Sequence, residues 1–320
     1  MAPPLVRLAL FPHRAVAAVL FVALFALAPQ AADAGGIPGR NDIVCDEIGQ
    51  RRIVQGDRVT QRQINFFLFD AAARGCLDLV DGLLSEGGSI SARDRFGNTP
   101  LSIAAHMGER DVVARLLELG ADVDHANLAD STPLLRAVDA NRRRTAGILL
   151  AAGADPNAVN RRRLTPLIIA AFNGNDRLVR LLLDNGADPS MRDATGKGAI
   201  VYAAGKGYGS LVALLLAAGI DPNARYGHEL TALMWAAGHS NDVPEAEGLA
   251  TMTLLIDAGA EIDAADDRGR TALMIAAERG HADIMTALLA AGADPERRDR
   301  QGNTAAVLAA GAMTDGPARR

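Results

Sequence analysis

One pattern of residues recurs along this chain at a nearly constant spacing. Successive copies open 33, 33, 33, 33, 40 and 33 residues apart. The residues that open them are Thr99, Thr132, Thr165, Gly198, Thr231, Thr271 and Thr304. A period of this length is typical of proteins built from short stacked units, because no single unit can bury its apolar face alone.

Each copy of the pattern predicts two short helices followed by a turn. The opening Thr can accept a hydrogen bond at a helix start, and the Pro that follows it in three copies fits the first helical position. A second helix is predicted around Leu182, and Gly186 is expected to end it in a left-handed conformation. The chain is therefore expected to alternate between short helices and glycine-rich turns.

The stretch Asp94–Leu101 reads Asp-x-x-Gly-x-Thr-Pro-Leu, and shortened forms of it recur in later copies. This pattern resembles the ankyrin repeat, in which a β-turn finger precedes two antiparallel helices. The resemblance covers residues 63–313 and implies an all-α repeat solenoid of about seven units with a partial C-terminal cap. The chain departs from the pattern at Gly198, which replaces Thr, and within Gly238–Gly248, where seven residues are inserted.

Composition is consistent with closely packed short helices. Hydrophobic residues make up 49% of the chain but aromatic residues only 4%, so Ala, Leu, Val and Ile must form the core. This balance argues against aromatic-rich β-sandwiches and barrels. The net charge is −5, with acidic and basic residues mixed along the chain, which argues against nucleic acid as a partner.

The first 34 residues have the features of a bacterial export signal. Arg7, His13 and Arg14 form a basic leader, the apolar run Ala15–Ala28 has 14 residues, and a small-x-small motif ends at Ala34. A membrane-spanning helix needs about 20 apolar residues, so an uncleaved anchor is the weaker alternative. We expect cleavage after Ala34, a periplasmic or secreted mature protein, and no membrane attachment after cleavage.

Cys45 and Cys76 both follow the expected cleavage point. An oxidising compartment favours a disulfide between them, although two free thiols are the alternative. The disulfide would join a partly ordered lead-in segment, residues 35–62, to the first helical unit. Residues 314–320 are expected to be a disordered tail.

The sequence contains no recognisable catalytic or metal-binding motif. The six histidines are scattered, and neither His-Glu-x-x-His nor Cys-x-x-Cys occurs. We therefore expect no enzymatic activity and no cofactor. The alternative is an enzyme whose site lies in the acidic insertion, at Asp242, Glu245 and Glu247.

The resemblance to ankyrin repeats implies that a partner binds the concave face, which is formed by finger tips and first helices. Exposed aromatic residues and arginines are common anchors at such interfaces. On this basis the candidate partner-binding residues are Arg95, Phe96, Arg161, Arg162, Arg163, Tyr226, His228 and Arg268.

These observations predict a monomeric, non-catalytic scaffold that binds another protein in the periplasm. The alternative is a secreted effector or inhibitor that acts on a protein outside the cell. The sequence does not identify the partner, because a repeat fold alone does not specify one.

Overall fold

A computed structural model describes residues 40–54, 59–239 and 243–314. The predicted signal peptide, residues 1–34, lies outside the described residues, as does the predicted tail except for Thr314. All described residues belong to one compact unit, Pro38–Arg320.

Within the described residues, sixteen α-helices follow one another without a β-strand, which confirms the expected all-α repeat architecture. The helices are α1 (Arg40–Val54), α2 (Gln61–Arg74), α3 (Leu77–Ser85), α4 (Pro100–Met107), α5 (Arg110–Glu118), α6 (Pro133–Asp139), α7 (Arg143–Ala151), α8 (Pro166–Phe172), α9 (Asp176–Asp184), α10 (Ala199–Gly205), α11 (Gly209–Ala217), α12 (Ala232–Ala237), α13 (Glu245–Asp257), α14 (Ala272–Arg279), α15 (Ala282–Ala290) and α16 (Ala305–Thr314).

The helices form two layers. From α2 to α15 they are arranged in pairs, and the first helix of each pair packs against the first helices of its neighbours, from α2 through to α16. The second helices, α3 to α15, pack against one another in the same order. A short β-turn segment, here called a finger, connects each pair to the next first helix.

The start of the first helices follows from the opening threonine. The Thr99 side chain accepts a hydrogen bond from the Ser102 backbone N–H at 3.2 Å, and Pro100 occupies the first turn. Four other opening threonines cap their helices in the same way: Thr132, Thr165, Thr231 and Thr271. Such a cap stabilises a helix by about 1 kcal/mol, so the repeated Thr sets where each first helix begins.

Small residues bring neighbouring units close together. Ala104 and Ala105 in α4 are completely buried, as are Ala170 and Ala171 in α8. Each second helix turns back at a glycine such as Gly186, whose φ of 85° is in the left-handed region predicted from the sequence.

Helix α1 covers the N-terminal end of the stack and was not predicted, because it lies outside the repeat. Cys45 in α1 forms the expected disulfide with Cys76, which directly precedes α3. Ile48 is 1% exposed and belongs to the core. An ion pair of 3.0 Å between Arg51 and Asp70 also joins α1 to α2.

The seven inserted residues lengthen the second helix of one unit. Helix α13 has 13 residues, whereas α11 and α15 have 9, and the extra turn lies at its N-terminal end. Near this turn the imidazole rings of His239 and His281 stack with centroids 4.1 Å apart. None of the described helices is long and apolar enough to cross a membrane.

Candidate functional site

Adjacent fingers are joined by backbone hydrogen bonds. The Leu128 N–H, for example, donates to the Phe96 carbonyl oxygen at 2.9 Å, and the Ala194 N–H donates to the Arg162 carbonyl oxygen at 3.0 Å. The corresponding donors of the other pairs are Arg161, Gly227, Asp267 and Arg300. The fingers therefore form one continuous row beside the first helices.

Within most fingers a carboxylate or amide side chain fixes the turn. Asp94 accepts hydrogen bonds from the backbone N–H groups of Phe96 and Asn98, at 2.7 and 2.9 Å. The same role is filled in other fingers by Asn127, Asn160, Asp193, Asp266 and Asp299. Because one side chain holds two backbone donors, the finger tips present their other side chains in a defined direction.

Seven of the eight predicted contact residues are exposed at finger tips. Phe96 is 55% exposed, and the Arg95 guanidinium lies 4.6 Å above its ring. His228 lies 3.0 Å from an oxygen of Asp267. The other exposed residues of this set are Arg161, Arg162, Arg163 and Arg268.

The prediction that Tyr226 is an exposed anchor is wrong, because the residue is 7% exposed. It occupies the finger position that holds Asp or Asn elsewhere, and its ring packs over Gly198 of the preceding unit. A Cβ atom on Gly198 would lie 2.9 Å from Tyr226 Cε1. The missing Thr at position 198 thus provides the space that the tyrosine ring fills, so Tyr226 is a core residue.

A groove of about 350 Å³ lies between the fingers and the first helices α4, α6, α8 and α10. Its lining includes Arg136, Arg162, Ile169, Phe172 and Tyr202, and we call it the central groove. Of the eight predicted residues, Arg162 alone belongs to this lining. The others do not meet at this site.

The central groove contains a half-buried guanidinium group. Arg136 Nε donates to the Ser102 carbonyl oxygen at 3.2 Å, and in the described part of the chain Arg136 forms no ion pair. Burial lowers the pKa of Arg136, although Asp94 and Asp139 partly oppose this shift. The charge of Arg136 is therefore held in a poorly solvated position, which favours an approaching anion.

The groove continues into a second group of side chains, here called the lysine–aromatic cluster: Phe172, Lys197, Tyr202, Lys206 and Trp235. The Lys206 ammonium lies 5.3 Å from the centroid of Phe172. The Lys197 ammonium lies 4.5 Å from Trp235 and 5.7 Å from Tyr202. Phe172 and Tyr202 meet edge to face, with centroids 5.6 Å apart. These distances are within the range of cation–π attraction.

A buried carboxylate holds the cluster in place. The Tyr202 hydroxyl donates to Asp193 Oδ2, and burial together with this bond raises the pKa of Tyr202 to about 12. Burial alone would raise the pKa of Asp193, but hydrogen bonds from Tyr202 and Thr195 and from the Lys197 backbone N–H lower it. The Asp193 charge is thus satisfied by hydrogen bonds, and it forms no ion pair of 4.0 Å or less with either lysine in the described structure.

Sequence reasoning missed this cluster, although two signals were present. The chain has only two lysines against 31 arginines, and both lysines lie in the cluster, as does its single tryptophan. In addition, Arg136, Ile169, Tyr202 and Trp235 occupy the same position of successive units, four residues after the opening residue. At that position Arg136, Tyr202 and Trp235 are partly exposed, whereas Ile169 is 8% exposed.

The residues suggested for a catalytic alternative do not form a comparable site. Asp242 lies outside the described residues, and Glu245 accepts a hydrogen bond from the Asp283 backbone N–H at 3.3 Å. In the described segments, no group of three or more His, Cys, Asp or Glu side chains is placed to hold a metal ion. The central groove and the lysine–aromatic cluster instead provide apolar surface and positive charge, which suit the binding of a ligand.

Comparison with known families agrees with the helix pairs and finger row. The profile described as ankyrin repeats (3 copies) matches residues 68–160, 147–226, 167–245, 200–299 and 245–314. The chain belongs to the ankyrin repeat family. A search of curated proteins found no match. Ankyrin repeats are generally protein–protein interaction modules, and ankyrin repeat proteins are typically non-catalytic scaffolds.

Proposed function

We propose that this ankyrin repeat protein is a non-catalytic scaffold that binds a protein partner in the periplasm. The partner contacts the face that holds the central groove and the lysine–aromatic cluster. The scaffold acts as a monomer, and nucleic acid and membrane lipid are not its ligands.

The exposed ring of Phe172 is the observation that carries this proposal. It is 48% exposed, lies at the edge of the central groove, and belongs to a short helix whose other face is buried. A large aromatic side chain beside a concave apolar surface is a common anchor for a partner, particularly where an arginine such as Arg162 is adjacent.

Two features support a compartment outside the cytoplasm. The disulfide between Cys45 and Cys76 is of a kind that persists in oxidising environments and is rare in the cytosol. The leader ending at Ala34 has the composition of a cleaved export signal. Mass spectrometry of the purified protein is expected to find Gly35 at its N-terminus, and fractionation to find it in the periplasm. Recovery mainly from the medium would favour the effector alternative.

The binding face can be tested with two matched phenylalanines. Phe96 and Phe172 are similarly exposed, and each has a cation over its ring, but only Phe172 lines the groove. Proteins captured by cross-linking from periplasmic extract are compared for wild type, Phe172→Ala and Phe96→Ala. We expect one partner to be lost with Phe172→Ala and kept with Phe96→Ala. Loss with Phe96→Ala alone would place the site at the finger tips, and no specific capture by any form would refute the scaffold proposal.

A further inference from the structure

The face that holds the groove differs in charge from the chain as a whole. The chain has a net charge of −5, yet Arg136, Arg162, Lys197 and Lys206 lie together along this face. Asp139 is the exposed carboxylate of the groove lining. A positive stripe on an acidic protein favours a partner surface of opposite charge.

These four cations are available to a ligand. None forms an ion pair with a carboxylate of the described residues, and the nearby Asp193 already accepts hydrogen bonds from Tyr202 and backbone groups. An ammonium group above a ring retains hydrogen-bond donors that point away from the ring. A carboxylate can therefore approach a lysine without disrupting its contact with the ring.

The same contacts disfavour a cationic ligand. Exposed aromatic faces attract cations, but Lys206 already covers Phe172, and Lys197 covers Trp235. A second cation would meet these ammonium groups at close range. The accessible apolar part of the groove lining, formed mainly by Phe172 with the half-buried Leu164 and Tyr202, instead suits an aliphatic or aromatic side chain.

The spacing of the cations suits an extended chain. Arg136 lies in α6, Phe172 in α8, and Lys197 and Lys206 next to the two ends of α10, so these residues belong to three successive units of the stack. Packed helices lie about 8–10 Å apart. Since an extended peptide rises about 3.3 Å per residue, one unit corresponds to about three residues of ligand.

Building on the proposed function, we infer that the partner presents an extended acidic segment to this face. One apolar side chain of the segment enters the central groove against Phe172. Carboxylates about three residues to either side of it pair with Arg136 and with Lys206 or Lys197.

A peptide selection tests this chemistry without knowledge of the natural partner. A random displayed peptide library is selected on the immobilised wild-type protein. The selected pool is then bound to a Lys197→Gln, Lys206→Gln variant, to Lys197→Arg, Lys206→Arg, and to Arg177→Gln, Arg180→Gln. The last variant removes the same charge from exposed positions of the second helix α9. Circular dichroism checks that each variant is folded.

We expect the selected peptides to be rich in Asp and Glu around an apolar residue. They should bind the Lys→Gln variant about tenfold more weakly, and the arginine and α9 variants almost as well as wild type. Binding should also weaken with added salt and change the emission of Trp235, the single tryptophan, which lies beneath Lys197.

Other outcomes separate this inference from the proposed function. Basic or uncharged peptides that lose binding with Phe172→Ala would overturn the acidic partner but keep the groove as the binding face. Peptides that bind Phe172→Ala and the Lys→Gln variant as well as wild type would refute both. If no peptide is selected and the protein binds an acidic polysaccharide instead, the inference of an acidic peptide ligand would be overturned in favour of another polyanion.

Discussion

Gly198 and Tyr226 depart from the repeat pattern at two positions that touch, and this packing can be tested by restoring the pattern. Gly198 has φ −96° and ψ 174°, an extended conformation that any residue can adopt. Thr at this position would improve the cap of α10 by a few tenths of a kcal/mol relative to Gly. Its Cβ, however, would lie 2.9 Å from Tyr226 Cε1, and overpacking of this kind costs about 1–3 kcal/mol. We therefore expect Gly198→Thr to lower the free energy of unfolding by about 1–2 kcal/mol.

The partner substitution is Tyr226→Asp, which restores the residue type that fixes the turn in other fingers. Alone it empties the space beside Gly198, at a cost of about 2–4 kcal/mol, and regains hydrogen bonds to the finger worth about 1 kcal/mol each. In the double variant, the side chain introduced by Gly198→Thr is no longer compressed and occupies part of that space. We expect a favourable coupling energy of about 1–3 kcal/mol between the two substitutions.

Urea denaturation of the wild type, both single variants and the double variant measures this coupling. Circular dichroism reports the whole stack, and the fluorescence of Trp235 reports α12, which directly follows this finger. Agreement between the two signals checks that one transition is being measured. If Gly198→Thr raised the denaturation midpoint, or if the effects of the single variants were additive, the packing explanation would be refuted.

Three other perturbations have expected outcomes. Replacing Cys45 and Cys76 by Ser removes a disulfide that closes a loop of sequence separation 31 and stabilises the fold by about 3–4 kcal/mol. Hydrogen exchange should therefore speed up in α1 and remain unchanged in α14; protection of α1 equal to that in wild type would contradict this expectation. Burial lowers the pKa of His281, and the nearby His239 lowers it further, although a hydrogen bond between His281 and a backbone carbonyl opposes the shift. The unfolded state therefore binds the proton more readily than the folded state. The free energy of unfolding should be highest above about pH 6.5 and fall at lower pH, and His281→Gln should reduce this fall in urea titrations. Arg163 is in the left-handed region (φ 57°), which strains a residue with a side chain. Arg163→Gly should therefore stabilise the fold by about 0.5–1 kcal/mol and raise the melting temperature; a lower melting temperature would contradict this strain.

The repeat was predictable because it combines local signals. Thr99 and its counterparts cap helices through a bond to a residue three positions later, and Gly186 ends a helix through its own backbone angle. Neither requires knowledge of distant parts of the chain. The helix pairs and the family therefore followed from the pattern, whereas α1 did not, because it occurs once and is held by the disulfide and by Ile48.

The binding face was harder to predict because its contacts join different units. Lys206 and Phe172 are 34 residues apart, and Lys197 and Trp235 are 38 apart. Tyr226 shows the same difficulty, since a finger position suggested exposure while its burial depends on Gly198 in the previous unit. Departures from a repeat pattern that compensate each other across an interface are visible in sequence only when both positions are compared together.

The distribution of lysines also determines how this protein reacts with amine-selective reagents. Its many arginines are inert to activated esters, so apart from the terminal amine the reactive nitrogen atoms are those of Lys197 and Lys206. Both lie on the face that holds the groove, 38 and 34 residues from the rings they cover. An amine-directed cross-linker will therefore join a partner almost exclusively at this face, and acylation of the two lysines will act as a chemical footprint of its occupancy.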